Sequence, residues 1–98
     1  MPKGYVIAHV HVEDPEAFRT YVQNNGPAIA RHGGRVLIKN DDAEVVEGES
    51  YEVHVVIEFP SFDAAKAFYN DPVYQEVAKF RQGAGLNTLI LVEGVPDA

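Results

Sequence analysis

The chain has 98 residues, which sets one domain, residues 1–98, with a single modest core as the expectation. With 46% hydrophobic residues and mixed charges, its composition is that of a globular protein and not a disordered or fibrous one. Eight scattered Lys and Arg stand against fifteen acids, a net charge of −7, which argues against nucleic acid and anionic membranes as partners because both need a basic stripe.

There is no cysteine, so there is no disulfide framework, no thiol nucleophile and no cysteine zinc site. The opening residues MPKGYVIAHVHV are too short and too interrupted by histidines to read as a signal peptide. No apolar run approaches the roughly 20 residues of a membrane span. The expected location is cytoplasmic.

Tyr5 to Val12 alternates with period two and reads as a strand. Val6, Ala8, Val10 and Val12 share one face, and Tyr5, Ile7, His9 and His11 the other. Asp14-Pro15-Glu16 then starts a helix: Asp14 suits the cap, Pro15 the first turn and Glu16 the positive end of the dipole. Phe18, Tyr21, Val22 and Ile29 recur at helical spacing, with a kink or break expected at Asn25-Gly26-Pro27. Gly33-Gly34 stops this region.

Arg35 to Lys39 reads as a short strand, Asn40-Asp41-Asp42 as a turn, and Ala43 to Glu47 as a second short strand ending at a turn on Gly48. Glu52 to Phe59 is the clearest strand, with Val53, Val55, Ile57 and Phe59 on one face and Glu52, His54, Val56 and Glu58 on the other. Ser61 caps a helix with the stripe Phe62, Ala65, Phe68 and Tyr69. Asn70-Asp71-Pro72 breaks it and opens another, capped by Asp71, with the stripe Tyr74, Val77 and Phe80. Gly83 and Gly85 end that helix, Thr88 to Val92 is the last strand, and residues 93–96 form a loose tail.

The order β-α-β-β-α-β with two right-handed crossovers is the ferredoxin-like α+β arrangement, an antiparallel sheet with helices on one face. The uncovered face still carries Tyr5, Ile7 and Val56. A half-apolar open face predicts a second copy, two sheets packing face to face into a dimeric α/β barrel.

Gly4-Tyr5, Asp14-Pro15, Arg31-His32-Gly33-Gly34-Arg35, Glu47-Gly48, Val56-Ile57-Glu58-Phe59-Pro60-Ser61, Tyr69, Pro72-Val73-Tyr74, Arg81 and Leu91-Val92-Glu93-Gly94 together resemble the bacterial family known as domain of unknown function 1330. The similarity runs over about residues 4 to 95. It implies a ferredoxin-like protomer and a homodimeric barrel, and no settled activity. The wider superfamily it implies includes cofactor-free monooxygenases, lactone isomerases, haem-binding enzymes and non-catalytic modules, so the fold does not choose a chemistry.

Candidate chemistry rests on a few polar groups. His9 and His11 point to one strand face and His54 with Glu58 to a face expected beside it, a set with the residue types of a histidine–carboxylate metal site; the same residues also suit a polar interface patch. Glu58 or His54 is the candidate base, and Glu58 equally suits an ion pair with Arg35 or Arg81. Arg35 and Arg81 could hold a carboxylate bidentately, or balance helix C-termini. Tyr5, Tyr69 and Tyr74 are candidate lining residues of an apolar pocket between sheet and helices, against ordinary core packing. Gly83-Ala84-Gly85 lacks the context of a dinucleotide loop, and no cofactor is expected.

The leading expectation is a homodimer that binds or transforms a small organic acid, by cofactor-free oxygenation or isomerisation if catalytic. The alternatives are a non-catalytic dimeric structural or regulatory module, and a metal-binding protein using His9, His11 and His54.

Overall fold

The computed structural model of the chain describes residues 2–96; the outermost residues of the expected 1–98 domain lie outside the described residues. Eight elements follow one another: β1 (Gly4–Val12), α1 (Pro15–Asn24), α2 (Gly26–Arg31), β2 (Arg35–Asn40), β3 (Val53–Phe59), α3 (Phe62–Asn70), α4 (Pro72–Gln82) and β4 (Gly85–Glu93). The strands form one antiparallel sheet in the order β2-β3-β1-β4.

The helix starts come from local hydrogen bonds. Asp14 accepts from the Ala17 amide at 3.2 Å, and Ser61 from the Ala64 amide at 3.0 Å. Asp71 closes α3 and opens α4, accepting from the Val73 amide at 2.8 Å. Each cap satisfies a donor that the first helical turn leaves free. The break at Asn25 is real: α1 ends there and α2 begins with Pro27 in its first turn. After α2, Gly33 takes a φ of +75°, while the Gly33 and Gly34 amides donate back to Ala30 and Ile29 at 3.0 and 2.9 Å.

One sheet face packs under the helices. Val6, Ile57 and Phe59 meet Tyr21, Ile29, Ala65, Phe68, Tyr74 and Ala78 in one cluster, and Leu89 and Leu91 extend it from β4. The largest fully buried side chains are Tyr74, Phe59, Phe68, Ile57, Val6 and Val10. Such burial contributes about 1.5–3 kcal/mol per large apolar side chain before chain entropy is counted. Gly85 joins sheet and helix layer: its φ is +155°, and a Cβ there would land on the His11 carbonyl. Beside it, the Glu13 and Asp14 amides both donate to the Ala84 carbonyl, at 2.7 and 2.9 Å.

Three expectations change. The segment Ala43 to Glu47 is not a strand, and residues 41–52 link β2 to β3 without one. The free edge of β2 could take another strand, but Val45 and Val46 stay 50% and 82% exposed, so the segment buries no apolar face that would hold it there. The buried stripe of α4 is Tyr74, Ala78 and Arg81, while Phe80 is 45% exposed. The helix is turned so that the long Arg81 stem lies under it, against Asn87 of β4. The last strand is longer than expected, and Gly94 after it is tied down by its amide donating to the Lys3 carbonyl at 2.8 Å.

Candidate functional site

The register lays the open sheet face out in rows across the strands. Arg35, Glu58, Tyr5 and Val92 stand opposite one another in the first. Ile38, Val56, Ile7 and Ile90 make the second, and Asn40, His54, His9 and Thr88 the third. A wholly apolar row is therefore bracketed by two polar ones.

In the first row the Tyr5 hydroxyl donates to Glu58 Oε2 at 3.2 Å and Arg35 Nε to Glu58 Oε1 at 3.1 Å. Both carboxylate oxygens of Glu58 are thus engaged, with its side chain 17% exposed and that of Arg35 73% exposed. The expected pairing of Glu58 with Arg35 forms. In the third row the His9 and His54 rings meet edge to face, centroids 4.8 Å apart, and His54 Nε2 is buried without a partner.

The four expected metal-site residues do not converge. His11 Nδ1 lies 3.0 Å from Glu52, which also accepts from the Val12 amide at 3.1 Å. Glu52's own backbone amide, then His11 and the Val12 amide, hold its carboxyl below the usual range. Glu58 lies two rows from His54. Among the described residues no three His, Asp or Glu side chains gather where a metal ion would be held.

The remaining nominated residues lie beyond the sheet, on the helix side. Tyr74 is fully buried, and its hydroxyl meets that of Tyr21 at 2.8 Å. Burial, and the Tyr21 hydroxyl beside it, push the Tyr74 phenol well above its ordinary value. Its ring centroid is 4.2 Å from that of Phe68 and 6.1 Å from that of Tyr69. Arg81, 3% exposed, donates to Asn87 Oδ1 and lies over the Tyr21 ring at 5.6 Å. Among the described residues no carboxylate pairs with it, and its Nε has no partner there. The single pocket expected from the sequence is therefore two separate groups: Tyr5, Arg35, His54 and Glu58 on the open face, and Tyr69, Tyr74 and Arg81 on the other. The sheet itself stands between them, and Tyr74 is packed into the core instead of lining a space.

Two open clefts flank the sheet. One, of about 720 Å³, lies on the open face between His9 with Thr88 and the loop residues Val45, Gly48, Glu49, Ser50 and Tyr51. The other, of about 530 Å³, lies on the helix side, where α1 meets the ends of β2 and β3. Phe18, Val22, Val12 and Val53 supply its apolar lining, with Arg19, Lys39, Asp41 and Glu52 among its polar lining. Neither Arg19 nor Lys39 is among the candidates nominated from the sequence. The Phe18–Arg19 pair on α1 was the available signal, but the convergence of α1 with the ends of β2 and β3 is a tertiary fact.

A family model described as domain of unknown function, DUF1330, matches residues 3–95. The chain belongs to this family. No curated protein matches this DUF1330 chain. Among solved structures, it is similar to a protein of unknown function from Rhodopseudomonas palustris, 25% identical, with a TM-score of 0.76 over 98% of this chain and 85% of that one. A dimeric ferredoxin-like protein of unknown function from Jannaschia is 14% identical, with a TM-score of 0.64 over 93% of this chain and 98% of that one. A proposed antibiotic biosynthesis monooxygenase from Caulobacter crescentus is 13% identical, with a TM-score of 0.60 over 97% of this chain and 92% of that one. Family and ferredoxin-like fold are both as expected. No described helix is long and apolar enough to cross a membrane.

Proposed function

We propose that this DUF1330 chain works as a homodimer closed through the open sheet faces of two copies, and that each protomer binds a small organic acid on the helix side of its sheet. The observation that carries the assembly is the apolar row Ile38–Val56–Ile7–Ile90. Ile38 and Ile90 stay 48% and 53% exposed, and Leu86 and Val92 on the same face 56% and 39%. A continuous apolar belt across four strands is a contact surface. A twofold partner presents the same belt, and the polar rows on either side become its rim. The similar Jannaschia protein is itself described as dimeric.

Binding fits better than turnover. Glu58 already accepts from Tyr5 and Arg35, and Glu58 and His54 belong to the face a second copy covers, away from the helix-side cleft. The wholly non-catalytic module draws its support from Phe59, Phe68 and Tyr74, which fill the layer between sheet and helices. Sedimentation velocity on the purified chain tests the assembly: a mass of twice 10.8 kDa at micromolar concentration is expected, and a protomer mass at tens of micromolar would end the proposal. Native mass spectrometry of the same sample reads any retained acid directly.

A further inference from the structure

We infer that the helix-side cleft between α1 and the ends of β2 and β3 is a site for a carboxylate with an aryl or alkyl body, its head group held by Arg19 and Lys39. This rests on the organic-acid reading above and gives that acid a place and a chemical class.

The cations make the case. Of the eight Lys and Arg, three surface cations, Lys3, Arg19 and Lys39, form no ion pair among the described residues. Arg31, Arg35, Lys66 and Lys79 each pair with a carboxylate, and Arg81 is buried. Of those three, Arg19 and Lys39 line the same cleft from two elements, α1 and β2. Of the two acids that line it, Glu52 is turned to His11 and the Val12 amide, leaving Asp41. In a chain of net charge −7 an anion needs local cations to approach at all.

The lining supplies the other half of the ligand. Phe18, Val22, Val12 and Val53 form an apolar surface, and Phe18 is backed by the Tyr21 ring at 6.1 Å, so it is held from behind. A volume of about 530 Å³ lies in the range of small-molecule sites. An apolar body against Phe18 and Val53 leaves a carboxylate head for the Arg19 guanidinium and the Lys39 ammonium, the first suited to a two-pronged hydrogen bond. The larger cleft on the open face is a poorer candidate, because its floor is the surface a second copy covers.

The test is a titration of the ¹⁵N-labelled chain with 4-phenylbutyrate, and in parallel with 4-phenylbutanol, which has the body without the charge. The inference expects saturable shifts at Phe18, Arg19, Val22, Lys39 and Val53, and binding of the alcohol weaker by about tenfold or more. The Arg19→Gln, Lys39→Gln double variant should lose about as much affinity for the acid while keeping its unfolding curve. The monomerising Ile90→Asp variant should bind as the parent does, so that a failed dimer and a failed site read differently. Absence of saturable binding, equal binding of acid and alcohol, or an unaffected double variant overturns the assignment. Shifts confined to Ile7, His9 and Ile90 overturn this site but leave organic-acid binding itself standing.

Discussion

Replacing Ile90 by Asp should dissociate the dimer without unfolding the protomer. Ile90 is 53% exposed in a lone protomer and stands opposite Ile7 in the apolar row. Full burial of an Ile side chain is worth about 1.5–3 kcal/mol, so covering the exposed half contributes about 1 kcal/mol per copy. A twofold interface counts every change twice, giving about 2 kcal/mol from lost apolar burial alone. Two carboxylates placed in a dry belt add a desolvation cost of several kcal/mol, and their mutual repulsion adds more. A total above about 4 kcal/mol corresponds to a dimer Kd weakened by about a thousandfold or more. Ile90→Ala, which removes only the apolar contribution, should weaken it about thirtyfold. Sedimentation velocity over a range of concentrations reads both numbers, and urea unfolding of Ile90→Asp at low concentration checks that the protomer stays folded. The interface reasoning fails if Ile90→Asp sediments as the parent dimer does.

Gly85→Ala should destabilise the chain by about 3 kcal/mol or more in urea unfolding, since it combines a φ of +155° with a Cβ set on the His11 carbonyl; a loss under 1 kcal/mol would mean the β1–β4 contact relaxes freely. Tyr74→Phe leaves the Tyr21 hydroxyl without its buried partner at about 1–3 kcal/mol, and adding Tyr21→Phe should recover part of that loss, which chemical denaturation of the single and double variants measures. Asp71 is held below its ordinary value of 3.8, first by the hydrogen bond from His32, then by the Val73 amide and Arg31. A carboxyl depressed in the folded state lends stability fully above pH 3.8 and loses it as pH falls from there through the lower folded value. Asp71→Asn should therefore flatten the acid limb of a stability–pH curve, and an unchanged limb would count against that role.

What was legible in the sequence was local. Asp14, Ser61 and Asp71 could be recognised as caps because a cap and its amide lie two or three residues apart. The buried faces of β1 and β3 followed from period two. Tyr5 with Glu58 is a contact across 53 residues and Arg35 with Glu58 one across 23, and pairings of that span depend on the strand register. The α4 stripe was misjudged because Phe80 is the apolar one of two neighbours that project about 100° apart on the helix, while the buried face runs through Tyr74, Ala78 and Arg81. A buried arginine beside an exposed phenylalanine reverses the usual preference, and the Asn87 carbonyl that favours it sits on another element.

The order and type of the elements, the capped helix starts and the excess of apolar residues on the bare sheet face belong to the sequence itself, since each depends on residues a few positions apart. Which polar groups share a site was decided only by the tertiary structure. The sheet stands between Glu58 and Arg81, and the packing of α1 beside the ends of β2 and β3 brings Arg19 and Lys39 around one cleft. The physical reason is distance along the chain: alternation and capping are fixed by neighbouring backbone, whereas a site assembles only when packing sets the register and tilt of distant elements.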